Sequence, residues 1–176
     1  MDIRLLPLEE AFARFMPEVD DIGARTMTYS AVDKYKAVVV EGDFVVDAEG
    51  FVRTDEMVPV PDGAMVAAIF ITGDLRAEKA TLIEPDIDWS PLLKIKGSVF
   101  ARNLFVGGSA SEIDGDLKVE GAIVGHYNHG MLTVRGGTSA SVVLANDYEF
   151  EFVKGVAASY VLNASGRLDR KSTRLN

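Results

Sequence analysis

The chain has 176 residues, enough for one domain with a real core, and its 27 acidic against 18 basic side chains give a net charge of −9. That balance disfavours nucleic acid and anionic membrane surfaces as partners, because phosphate repels an acidic surface. The absence of cysteine excludes disulfides and thiolate chemistry; no apolar run approaches the roughly 18 residues of a membrane-spanning helix. The start Met1-Asp2-Ile3-Arg4 lacks the basic region and apolar block of a secretory leader, so the expected location is the cytoplasm.

Residues 7–16 read as a short helix. Pro7 suits a first turn, Glu9 and Glu10 suit the positive end of the helix dipole, and Pro17 stops it. Leu8, Phe12, Phe15 and Met16 fall on one face. Residues 1–36 are read as a helical cap and connector that covers the open end of the domain that follows, residues 37–167.

From residue 37 onward one phrase recurs: a β-branched residue, any residue, Gly, usually Asp, then an apolar residue. Its copies are Val40 to Phe44, Ile71 to Leu75, Ile95 to Val99, Ile113 to Leu117 and Val134 to Thr138. Their glycines are Gly42, Gly73, Gly97, Gly115 and Gly136, at spacings of 31, 24, 18 and 21 residues. A weaker sixth copy, Val153 to Ala157, follows with Gly155. The residues two before the glycine (Val40, Ile71, Ile95, Ile113, Val134) and two after it (Phe44, Leu75, Val99, Leu117, Thr138) form period-2 columns, the mark of strands. The glycine marks a bend between two faces where a side chain would not fit.

Repeats near 20 residues suit one coil turn of three short strands; a strand–helix–strand crossover needs about 30. Asn-Gly and Asp-Gly hairpin signals are scarce, and Asp114-Gly115 lies inside the phrase itself. The expected fold class is therefore all-β: a single-stranded parallel β-helix of about five to six rungs with an N-terminal α-helical cap. Turns of unequal length favour the right-handed form. In such a coil the outward column Lys96, Asp114, Arg135 stacks with alternating sign, each contact worth roughly 0.2–1 kcal/mol.

The stretch Glu84 to Pro91 interrupts the repeat and is expected to project as a loop, with Trp89 either tucked back or exposed for binding. Gly125-His126-Tyr127-Asn128-His129-Gly130 holds both histidines. His126, Tyr127, Asn128 and His129 are a candidate binding corner, with Asp116 or Asp147 as possible neighbours. His-x-x-His supplies only two metal ligands, so no metal is expected, and the alternative is a polar turn. The column Asp43, Asp74, Ser98, Asp116 is either an anionic ladder for calcium or a set of bends whose carboxylates bind backbone. No nucleophile–base set, Gly-x-Ser-x-Gly elbow or phosphate loop is present, so no catalytic residue and no cofactor is expected. Residues 168–176, ending Asp169-Arg170-Lys171-Ser172-Thr173-Arg174-Leu175-Asn176, read as a translated sequencing adapter and stand outside the fold reasoning.

The Gly-Asp-Leu phrases over residues 38–145, with the corner Tyr127-Asn128-His129-Gly130, resemble bactofilin-type polymer-forming proteins and bacterial β-helices with the same rungs. The resemblance implies a parallel β-helix that assembles end to end through exposed terminal rungs; the N-terminal helix departs from that pattern. Three roles follow as expectations: a non-catalytic scaffold that presents a flat strand face or the 84–91 loop to another protein, a self-assembling structural protein, or a carbohydrate-active or metal-dependent enzyme centred on His126 and His129. The expected partner is another protein or a second copy of the chain.

Overall fold

The computed structural model describes residues 2–26, 28–86, 89–127 and 130–164. It opens with β1 (Asp2–Pro7), α1 (Leu8–Phe15), α2 (Ile22–Thr26) and a 3-10 turn (Tyr29–Lys34). Strands then follow to the end: β2 (Lys36–Glu41), β3 (Phe44–Val45), β4 (Gly50–Arg53), β5 (Val66–Ile71), β6 (Leu75–Ile83), β7 (Leu92–Ile95) and β8 (Val99–Val106), then β9 (Ala110–Ile113), β10 (Leu117–Val119), β11 (Ala122–His126), β12 (Met131–Val134), β13 (Thr138–Asn146), β14 (Glu149–Phe152) and β15 (Val156–Asn163).

These strands coil as a parallel β-helix. The first face stacks β2, β5, β7, β9, β12 and β14 in parallel. The other strands form one sheet bent along its length, so that it supplies a second and a third face. The expected columns are in register: Val40, Ile71, Ile95, Ile113 and Val134 pair in succession on the first face. Phe44, Leu75, Val99, Leu117 and Thr138 do so on the second. All ten are buried and nine are apolar, so burial of these columns is what closes the tube. The sixth copy is displaced by one residue: Phe152, not Val153, continues the first-face column, and Val153 is exposed.

The bend between first and second faces is a ladder of backbone. Each glycine N–H donates to the carbonyl of the glycine one turn before, Gly73 to Gly42, Gly97 to Gly73, Gly115 to Gly97 and Gly136 to Gly115, at 3.0–3.1 Å. A Cβ on Gly115 would stand 2.5 Å from the Gly97 backbone, which is why only glycine fits. The Asp column reinforces this bend across turns. Asp43 accepts from the Asp74 N–H, Asp74 from Ser98, Ser98 from Asp116 and Asp116 from Gly137, at 2.8–3.0 Å. Gly137, with no side chain, ends the series.

Residues 2–26 cover the coil in two places. β1 pairs antiparallel with β2 and closes the starting edge of the first face, a strand not foreseen from the sequence. The expected helix is present as α1, and its Leu8, Phe12, Phe15 and Met16 pack on Ala37, Val39, Ala68, Phe70 and Leu92, the outward residues of β2, β5 and β7. Phe70 lies between Phe12, edge-on at 5.5 Å, and Phe15, stacked at 5.1 Å. Buried on both sides, β2 and β5 are almost continuously apolar.

Below the helix the same outward columns turn polar. Lys94 is 4% exposed and its Nζ lies 3.1 Å from Glu112 and 2.7 Å from Asp114. Arg135 reaches both acids at 3.2 Å, and Arg25 of α2 also pairs with Glu112. Burial alone would raise the Glu112 carboxyl; Lys94, then Arg25 and Arg135, outweigh it and hold it below its ordinary range. The expected Asp114–Arg135 contact is made. The expected Lys96 contact is replaced by Lys94, while the Lys96 ammonium lies 5.4 Å from the Phe15 ring.

Candidate functional site

Two of the four residues at the candidate corner can be placed. His126 ends β11, exposed, with Nδ1 2.7 Å from Asn146 Nδ2 on the next turn. Tyr127 follows with φ of 98°, a conformation costly for a residue with a Cβ; Asn128 and His129 lie outside the described residues. The flanking glycines have a packing role. A Cβ on Gly125 would meet the Tyr148 ring at 2.4 Å, and one on Gly130 would meet the Gly107 carbonyl oxygen at 1.7 Å. Among the described residues, no group of three His, Asp or Glu side chains is placed to hold a metal ion. The acids of the bend column accept backbone N–H groups from the next turn; the Gly137 N–H holds Asp116 below its ordinary carboxyl range.

The stretch 84–91 turns inward at both described ends. Glu84 and Ser90 are buried, and the Trp89 indole donates to the Thr26 carbonyl at 3.1 Å with Tyr35 beside it, ring centroids 6.1 Å apart. Glu84 fills the corner between the third and first faces. One carboxylate oxygen accepts the N–H of Gly107 at 2.6 Å and of Ser109 at 3.3 Å, the other faces the Ser109 hydroxyl, and Ser109 meets Ser111 at 2.7 Å. Desolvation raises the Glu84 carboxyl above its ordinary value despite these donors. Tyr148, fully buried three turns on, has its phenol raised by burial and then by the Glu84 charge. Nothing in the sequence marked Glu84 or Tyr148, because each occupies its corner once and repeats in no column.

The three faces differ on the outside. The first is covered by α1 or threaded by ion pairs. The second shows Arg76 and Lys118, both lying over the Phe100 ring at 4.2 and 5.5 Å. The third shows a bare apolar column: Ile83, Phe105, Val124, Leu144 and Leu162 stand in register on β6, β8, β11, β13 and β15. Their neighbours in sequence, Leu82, Leu104, Ile123 and Val143, point into the core and are buried. The first four of the column are partly exposed and Leu162 is 56% exposed. Beside them run Val142 and Tyr160, the latter 67% exposed. With strands about 4.8 Å apart the column is about 20 Å long. Its members had a sequence signal, since apolar residues occupy both parities of these strands. No helix among the described residues is long and apolar enough to cross a membrane. Comparison of the chain with protein-family models, with curated proteins and with solved structures finds no match.

Proposed function

We propose that this chain is a non-catalytic β-helix scaffold that binds another protein through its third face. The supporting observation is the uninterrupted outward column Ile83, Phe105, Val124, Leu144, Leu162. A contiguous apolar patch rimmed by polar groups is what protein interfaces bury, and single scattered apolar residues are not. Rigid strands hold the column flat, so a partner meets a preformed surface at little ordering cost. The test is photo-crosslinking in the cells that make the protein, with probes placed in turn at Val124, Leu144, Arg76 and Lys118. A discrete adduct from the two third-face positions, absent from the two second-face positions and lost in a Phe105→Glu background, is the expected result. Equal labelling from both faces, or none from the third, refutes the reading.

A second reading, self-assembly, has its own support at the last rung. β14 and β15 are hydrogen-bonded on one side only among the described residues, and Val153, Tyr160 and Leu162 are exposed there. The covered starting edge of the first face weighs against stacking on all three faces. Sedimentation velocity separates the two: filaments or large oligomers favour assembly, small particles favour the scaffold.

A further inference from the structure

Two insertions in the coil converge on one groove. The later turns need 18 to 21 residues between glycines, whereas the first two take 31 and 24. The surplus of the first turn follows β4, over residues 54–65, and that of the second lies at 84–91. Between them and Tyr35 lies a groove of about 360 Å³ whose lining includes Tyr35, Trp89, Met65, Val60, Pro91 and Asp55. That volume is within the range of small-ligand sites.

The lining has a specific chemistry. Tyr35 and Trp89 are tilted at 51° to one another and both are half-buried. The indole nitrogen is anchored on the Thr26 carbonyl, which fixes the ring and leaves its π face as what it offers a ligand. Met65, 48% exposed, adds a polarisable thioether. Asp55 is the only charged residue in the lining among the described residues. It is held by Arg53 at 2.9 and 3.1 Å, and Arg53 also bonds Glu56 at 3.1 Å and feels the charge of Asp86. Three acids thus surround one arginine at the rim, on a chain of net charge −9. Aromatic faces attract a cation, the carboxylate supplies its counter-charge, and the apolar walls favour a cation with no N–H groups left to solvate.

We propose that this groove binds a quaternary ammonium group, on a free small molecule or on a trimethylated lysine side chain. The site does not draw on the third-face column and stands or falls separately from it. Trp89 is the only tryptophan in the chain, so its fluorescence reports on the groove alone.

The probes are choline, a short peptide bearing trimethyl-lysine, and the uncharged isostere of choline in which carbon replaces nitrogen. Choline or the peptide should give a saturable fluorescence change, the tighter of the two identifying the source. The isostere should bind about tenfold more weakly. Asp55→Asn should weaken the charged probe several-fold and leave the isostere unchanged. No saturable response to either charged probe, or an isostere that binds as well as choline, overturns the proposal. Should Asp55→Asn fail to fold, the charged-against-neutral comparison on the unaltered chain decides it.

Discussion

The coil turns two tight corners of opposite character. At the corner between first and second faces, backbone rests on backbone, and the same glycine and hydrogen-bonded side chain recur on successive turns. At the corner that returns to the first face, each turn is plugged differently: Thr54, then Glu84 with Ser109, then the Gly125 and Gly130 gaps filled by the Tyr148 ring. One corner is a repeated solution and the other a set of single ones. The stacking therefore repeats one solution at the first corner, while at the second the group that fills the space differs from turn to turn.

The largest expected effect belongs to the repeated corner. Gly115→Ala places a methyl 2.5 Å from the Gly97 carbonyl carbon and oxygen, and backbone held by its own ladder cannot retreat. Denaturant unfolding should show a loss of about 3 kcal/mol or more, with no single second substitution restoring it. Full stability in this variant would mean the ladder is looser than described.

At Gly125, on the irregular corner, the obstruction is made by side chains, so the outcome should differ in kind. Gly125→Ala meets the Tyr148 ring at 2.4 Å and should cost about 1–3 kcal/mol. In a Tyr148→Ala background only the tip of the Phe150 ring, at 2.6 Å, still stands in the way, so the same change should cost less, giving a favourable coupling of about 1–2 kcal/mol in a double-mutant cycle. Simple additivity would remove the distinction between the corners.

The smallest effect concerns Glu84. Its carboxyl is raised in the folded chain, so the folded state binds the proton more tightly than the unfolded one. Stability from this group is therefore present at acid pH, below the unfolded value, and is lost as pH rises through the raised one. Glu84→Gln, which keeps an acceptor for Gly107 and a donor for Ser109, should be at least as stable as the parent at neutral pH. That advantage should fade as the solution is acidified; thermal melts of the pair across pH measure it. A variant clearly weaker at neutral pH would show that the charged form is the stabilising one.

The same contrast explains what could be read in advance. The columns of Val40 to Val134 and the glycine bends were legible because stacking repeats a physical demand at each turn, and repetition survives in sequence. The sixth copy slipped by one residue because its glycine did: Phe152 and Val156 keep the step between the two columns, while Gly155, with φ of 81°, stands one place later in the bend than the earlier glycines. The inward turn of Glu84 was hidden, since a carboxylate in a loop ordinarily faces water and nothing local says otherwise, whereas a tucked-back Trp89 was one of the two readings the stretch allowed. Lys94 was hidden for a related reason: its acidic partners lie 18 and 20 residues away and matter only once the turns are stacked.

The placement of α1 has one more consequence. Because it shields only the first three strands of the first face, the two ends of the rod are unequally protected against opening. Solvent should reach the amides of β12 and β14 first, and deuterium uptake should advance from that end toward Phe70, as a zipper runs from its free end.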